Sequence, residues 1–174
     1  KAPLVYSKVV IRNWQPFIKL GVHEIYSPAA PYSRVKLDYP VSMGGYQHPR
    51  DPDRPIGLHM VYVPTLPGSG LSPREQSRKG RALLLGTPFE VHEQMIREQL
   101  QGMLGDAGFD HQRDIQAITV NRWSHGYSYF LNGLFDDEDE AKKIIETARQ
   151  PIGKIVIANS DADWSPYANS AIDQ

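Results

Sequence analysis

An apolar run near the C-terminus, Ile155 to Ala158, passes directly into a turn of small polar residues, Asn159 to Ala162. This pattern predicts a strand over Ile152 to Ala158, then a turn, then a short helix that Pro166 opens. Ligands of layered α/β proteins bind where strands end and helices begin, because free N–H groups there stabilise negative charge. The segment therefore predicts an α/β protein with a candidate ligand site. An ordinary strand–turn–helix with Asp161 as the cap is the alternative.

A second cluster of chemically useful side chains lies between residues 121 and 129, after a strand predicted over Ile115 to Val120. It contains Trp123, His125, Tyr127 and Tyr129. Aromatic walls favour flat rings and, through their π faces, organic cations. The cluster thus predicts a substrate-facing segment, with packing in a core or a turn as the alternative.

The remaining segments predict a mixture of short strands and helices, as in the α/β (α+β) class. Both Ser72 and Thr87 are followed by Pro and, three residues on, by Glu, so each predicts a helix that begins with a capping box. Gly105 is expected to stop the second of these helices. The apolar run at Gly57 to Val63 predicts a strand covered on both faces. Further strands are predicted over residues 5–11, 22–26 and 35–41, and a further helix over residues 136–148.

Composition excludes several classes of protein. The net charge is −1, from 19 basic and 20 acidic residues, so the basic excess of a nucleic-acid-binding protein is missing. The sequence has no cysteine and therefore no disulfide or thiolate metal site. No apolar run is long enough for a membrane-spanning helix, and the six histidines lack metal-ligand spacing. Since the chain opens on Lys1 without a signal sequence, we expect a processed product or an excised segment.

Six segments, spread over nearly the whole chain, resemble the C-terminal part of bacterial FAD-dependent oxidoreductases. The resemblance is to the flavin amine oxidase superfamily, and it is closest to the spermidine dehydrogenase group. The segments are Lys1 to Tyr6, Arg12 to Trp14, Val41 to Tyr46, Thr119 to Tyr127, Ile152 to Ala162, and Ala171 to Gln174.

The resemblance implies the C-terminal portion of a two-domain flavoenzyme. Residues 1–130 would supply most of a substrate domain with a mixed sheet, and residues 131–174 the closing strand and helix of a Rossmann-like FAD-binding domain. The G-x-G-x-x-G turn that holds the FAD pyrophosphate in this family does not occur in the sequence. The resemblance thus implies a partner, namely the remaining N-terminal FAD-binding segment or chain.

The same resemblance assigns roles to individual residues. The ribityl–phosphate region of FAD would contact the turn after the last strand, and the flavin ring would lie beside the start of the last helix. A substrate cavity would be lined by aromatic side chains, with His125 as the candidate catalytic residue. The cofactor-binding residues are Asn159, Ser160, Asp161, Ala162, Tyr167 and Ala168, and the substrate-binding residues are Trp123, Tyr127 and Tyr129.

The activity that the resemblance implies is oxidation of an amine C–N bond by hydride transfer to FAD. A quinone, a haem or another carrier would accept the electrons, and haem is a possible second cofactor. A flavoprotein of the same fold with a non-amine substrate, and a non-catalytic subunit, are the alternatives. The resemblance implies a periplasmic location and leaves a cytoplasmic one open.

Overall fold

A computed structural model describes residues 1–173, which form mixed α/β structure and so confirm the expected class. The described residues contain five strands and six α-helices, with a 3₁₀ turn at residues 105–107. In chain order they are β1 (Ala2–Ile11), α1 (Gln15–Leu20), β2 (Glu24–Tyr26), β3 (Arg34–Leu37), β4 (Ile56–Tyr62), α2 (Pro73–Gly86), α3 (Phe89–Leu104), α4 (His111–Asp114), β5 (Ile115–Gly126), α5 (Glu138–Ala148) and α6 (Ala168–Ile172).

The five strands form one antiparallel sheet in the order β2-β3-β4-β1-β5, whereas a mixed sheet was expected. The central strands pair over a long register, from Val5 opposite Tyr62 to Ile11 opposite Ile56. The chain divides into two compact units. We call residues 2–124 the sheet unit, and Lys1 together with the residues from His125 onward the C-terminal unit.

The core of the sheet unit lies on one face of the sheet. Alternate residues of the central strands are buried there, including Val5, Val9 and Ile11 of β1 and Leu58 and Met60 of β4. One stripe of α3 joins the same cluster, since side chains three and four residues apart share a helix face. Each such side chain stabilises the fold by about 1.5–3 kcal/mol. The buried α3 residues are Ile96, Leu100 and Leu104.

The expectation that β4 is covered on both faces is wrong. Leu58 and Met60 are buried, whereas Gly57, His59 and Val61 on the other face are only half-buried. The described helices cover only one face of the sheet. The apolar Val61 suggested a second covered face, but apolar residues also occur on open faces. The sheet therefore has a core face and an open face.

The two predicted capping boxes have different outcomes. Ser72 and Glu75 form one at the start of α2, where the Ser72 Oγ accepts from the Glu75 N–H and the Glu75 carboxylate accepts from the Ser72 N–H. The box at Thr87 is wrong, because this residue ends α2: its Oγ1 donates to the Leu83 carbonyl at 2.7 Å. Helix α3 begins at Phe89 without a side-chain cap and ends, as expected, before Gly105.

Helix α2 approaches the backbone of the sheet unit most closely at Gly80. A Cβ there would collide with the Pro64 carbonyl oxygen and would lie 2.9 Å from Cγ of Pro3. We expect Gly80→Ala to lower the free energy of unfolding by about 1–3 kcal/mol, the cost of overpacking. Gly102→Ala in α3 is the matched control, since a Cβ at Gly102 meets nothing within 4 Å. It should raise stability by about 0.5–1 kcal/mol, and urea titration of both variants distinguishes the two outcomes.

A polar network is enclosed in the core. The Ser7 hydroxyl lies 2.8 Å from the Tyr32 hydroxyl, which lies 3.4 Å from Nδ1 of His92, and all three residues are fully buried. The Tyr62 ring packs edge-on against His92, and the His92 Nε2 has no hydrogen-bond partner among the described residues. Burial raises the pKa of Tyr32 to about 12, so Tyr32 stays a neutral donor at physiological pH.

This network should make the fold sensitive to acid. Burial, and then the charge of Arg122, hold the pKa of His92 below its ordinary value of 6.5. The unfolded chain therefore binds a proton at a higher pH than the folded protein, so stability falls as the pH drops below about 6.5. Half-buried His59, whose pKa is also lowered, acts in the same direction.

Unfolding in urea between about pH 5 and pH 8 measures this dependence. His92→Gln should flatten the fall in stability below neutral pH, whereas His23→Gln, at an exposed position, should leave it unchanged. Identical pH profiles for His92→Gln and the parent protein would contradict the assignment.

The strand predicted over Ile152 to Ala158 is wrong. Residues 152–155 form a tight turn instead, closed by one isolated bridge between Ile152 and Ile155. Ile155, Val156 and Ile157 are 68%, 64% and 48% exposed. The described part of the C-terminal unit offers no strand for this segment to pair with, and an unpaired strand is not stable alone. The final helix begins at Ala168 rather than at Pro166.

Candidate functional site

The open face of the sheet unit carries two rows of side chains across three strands. Cross-strand partners point to the same face, so Lys8, His59 and Lys36 form one row. Tyr6, Val61 and Arg34 form the next row by the same pairing. The Tyr6 ring packs at 4.8 Å from that of His59, which links the two rows.

The charges of these rows are mostly compensated within the face. Lys8 Nζ lies 2.9 Å from Asp38, and Arg34 pairs with Glu24, which lowers the pKa of the Glu24 carboxyl. Lys36 is 5% exposed, and its ammonium lies 3.1 Å from the centroid of the Tyr39 ring, a cation–π contact. Among residues 1–173, Lys36 forms no ion pair, although Glu24 is its cross-strand neighbour, so the end of the open face near β3 is positive.

His59 lies between the two lysines. Its half-buried ring has a pKa below the ordinary value, because burial and then the charges of Lys8 and Lys36 disfavour the imidazolium form. Its Nδ1 has no hydrogen-bond partner among residues 1–173. This Nδ1 is itself buried, so a polar ligand on this face could contact only the remaining, half-buried part of the ring.

The other end of the open face belongs to β5. Ile118 and Val120 pack against the core, so the alternate residues Thr119, Asn121 and Trp123 lie on the open face. The Asn121 amide donates to the Tyr6 carbonyl at 3.0 Å. Trp123 is 56% exposed, which leaves its ring available to a ligand.

The sheet order separates this aromatic end from the cationic end. Strands β3 and β5 are three positions apart, which corresponds to about 14 Å at ~4.8 Å per strand. That distance exceeds the Debye length of ~8 Å at physiological ionic strength. A cation beside Trp123 is therefore largely screened from Lys36.

The other predicted substrate residues belong to the C-terminal unit. His125 and Tyr127 are exposed, and Tyr127 has a positive φ of 58°, a conformation uncommon for residues other than glycine. The Tyr129 hydroxyl donates to Asp136 at 2.6 Å, and its ring packs edge-on against Trp164 at 4.7 Å. Tyr129 is thus held by its own unit, in keeping with a packing role.

Four of the predicted cofactor residues, Asn159 to Ala162, form a compact turn in the C-terminal unit. The Asn159 side chain accepts from the N–H groups of Asp161 and Ala162, at 3.0 and 3.2 Å. Ala162 is buried and offers a ligand only its backbone. Ser160 is half-buried and accepts from the Ser165 N–H through its carbonyl. The alternative of a strand–turn–helix capped by Asp161 is not seen either, because Asn159 accepts from the N–H groups of the turn and no strand among residues 1–173 leads into it.

Besides the exposed Asn159, three predicted cofactor residues are accessible. Asp161 is ion-paired, with Lys1 Nζ 2.6 Å from both carboxylate oxygens, yet its side chain is 48% exposed. Tyr167 precedes α6 and is 62% exposed, and Ala168 is the exposed first residue of that helix. A carboxylate and a phenol are thus available to polar groups of a cofactor, whereas the turn alone lacks a cradle for a pyrophosphate.

The sequence did not indicate the residues of the cationic end of the open face. The sequence predicted strands that contain Lys8, Lys36 and His59, but nothing in it showed that these strands align the three side chains on one face. Over residues 1–173 the structure contains no group of three or more metal-ligating side chains. None of the helices in that range is long and apolar enough to cross a membrane.

Comparison of the chain with protein-family models and with the sequences of curated proteins finds no match.

Proposed function

We propose that this chain is the C-terminal part of an FAD-dependent amine dehydrogenase, in which the open face of the sheet borders the substrate cavity. The observation that carries the proposal is the aromatic end of this face. Trp123 stands exposed on edge strand β5, about three strand spacings from the cationic end. A protonated or neutral amine is held there by the π face of the indole.

The reaction is oxidation of a C–N bond in a polyamine-like substrate. The amine loses a proton and a hydride and becomes an imine, which water hydrolyses to a carbonyl compound and a smaller amine. Bound FAD supplies the hydride acceptor, and a quinone, a haem or another carrier takes the electrons onward. Trp123 orients the amine on the open face. The resemblance assigns the role of proton acceptor to His125 and names Tyr127 and Tyr129 as further substrate residues.

Two features support a requirement for an N-terminal FAD-binding segment. The sequence lacks the G-x-G-x-x-G turn, and the apolar segment Ile155 to Ile157 is exposed in the C-terminal unit. Exposed apolar strand-forming residues next to a polar turn suit pairing with a sheet supplied by that segment. The turn at Asn159 to Ala162 would then lie at the end of a paired strand, and Asp161 would accept hydrogen bonds from ribityl hydroxyls.

A second candidate is a flavoprotein of the same kind that acts on a substrate other than an amine. Lys36 favours it, since its ammonium forms no ion pair with a carboxylate among residues 1–173 and attracts an acidic or strongly polar substrate.

Anaerobic mixing of the flavin-loaded protein with a panel of di- and polyamines tests the first candidate. Bleaching of the flavin absorbance by amines, with release of a carbonyl product, supports it. Bleaching only by carboxylates, alcohols or other non-amines supports the second candidate. Absence of flavin from a preparation that also contains the N-terminal FAD-binding segment contradicts both.

A further inference from the structure

The C-terminal unit contains a cavity of about 300 Å³, lined by α5 on one side and by the segments around Phe130 and Trp164 on the other. Helix α5 contributes one face, with residues spaced by three and four positions. None of the lining residues was assigned above to cofactor or substrate. They are Phe130, Leu131, Glu138, Ala141, Lys142, Ile145, Asp163 and Trp164.

The walls of this cavity are fixed by contacts behind them. The Trp164 ring packs against Tyr129, whose hydroxyl is bonded to Asp136. Trp164 also has a positive φ of 50°, so its backbone is held in a costly conformation. Asp163 is ion-paired with Arg149 at 2.9 Å, which compensates its charge.

Two charges on the lining have no partner. Glu138 and Lys142 lie one helical turn apart on the face of α5 that borders the cavity, and neither forms an ion pair with any residue in 1–173. Side chains at this spacing have Cβ atoms about 5–6 Å apart. The cavity thus presents one carboxylate and one ammonium beside an apolar wall.

From this arrangement we infer that the cavity binds a zwitterion with an apolar body, such as an apolar α-amino acid. Glu138 accepts from the ligand ammonium, Lys142 donates to its carboxylate, and Phe130, Leu131 and Trp164 enclose its side chain. A simple cation would be repelled by Lys142, and a simple anion by Glu138. The site is independent of the proposed flavin chemistry, so its occupancy is measured without turnover.

The test uses L-leucine as the probe and titration calorimetry with the unmodified protein. Two analogues of similar shape each carry only one of the two charges of leucine. 3-Methylbutylamine lacks the carboxylate, and 4-methylpentanoate lacks the ammonium. We expect L-leucine to bind and each analogue to bind at least about tenfold more weakly, since loss of a hydrogen bond between charged groups has that effect. Absence of leucine binding, or equal binding of either analogue, overturns the inference.

Variants on α5 locate the site. Glu138→Gln and Lys142→Met should each weaken leucine binding about tenfold or more. Glu140→Gln and Lys143→Met, at exposed positions of the same helix that do not line the cavity, are the controls and should not. Far-UV circular dichroism shows that each variant keeps its helices. Full leucine affinity in both Glu138→Gln and Lys142→Met places the ligand elsewhere and overturns the inference.

Discussion

Replacing Asp161 by alanine should weaken the retention of FAD by about 1.5–3 kcal/mol, or roughly 10- to 150-fold in Kd. The reason is the charge of the carboxylate, which accepts stronger hydrogen bonds from cofactor hydroxyls than a neutral group does. Its side chain is 48% exposed in the C-terminal unit and so accessible. Equilibrium dialysis of the flavin-loaded protein, with free FAD measured by fluorescence, gives the Kd.

The ion pair with Lys1 provides the control for this prediction. If Asp161 serves only to hold Lys1, then Lys1→Met should weaken FAD retention as much as Asp161→Ala does. If Asp161 binds the cofactor, Lys1→Met should leave the Kd nearly unchanged, because exposed ion pairs contribute only about 0–1 kcal/mol. Equal Kd values for Asp161→Ala and the parent protein would contradict a cofactor role and leave Asp161 as part of the turn.

Trp123→Ala should slow the reduction of the flavin by an amine about 2- to 30-fold and leave FAD bound. The range corresponds to about 0.5–2 kcal/mol for a cation held against an aromatic face. Trp123→Phe is the matched control, since it keeps an aromatic face and should show a much smaller effect. Stopped-flow measurement of flavin bleaching gives the rates.

Two results would contradict this role for Trp123. A normal rate of reduction in Trp123→Ala would show that the amine binds elsewhere. Loss of FAD together with activity would show that Trp123 stabilises the fold, which its exposed position on β5 does not favour.

The sequence predicted best those elements whose signals are local. The strand over residues 5–11, the capping box at Ser72 and the end of a helix at Gly105 each depend on residues a few positions apart, and all three appear in the structure. The capping box predicted at Thr87 was wrong because the Ser/Thr-Pro-x-Glu pattern also occurs where the hydroxyl donates to a carbonyl of the preceding helix, as Thr87 does to Leu83. The strand predicted over Ile152 to Ala158 was wrong because a strand needs a partner strand, and a local sequence pattern does not show whether one is present.

The site was predictable only in part, for the same reason. The aromatic cluster after Ile115 was recognised, although β5 continues through Trp123 to Gly126 instead of ending before it. The buried network joins Ser7 to Tyr32 and Tyr32 to His92, positions 25 and 60 residues apart in sequence. Register between strands and packing between distant elements bring such residues together, and a single sequence does not encode either in a local pattern.

The central proposal, that this chain works as part of an FAD-dependent enzyme, is tested most directly on the protein isolated from its source with an antibody against the sheet unit. The absorbance spectrum of that preparation and the masses of its peptides are recorded together. We expect an oxidised-flavin spectrum and peptides that include a G-x-G-x-x-G segment, from the same or a tightly bound chain. A preparation without flavin and without any such segment would contradict the account.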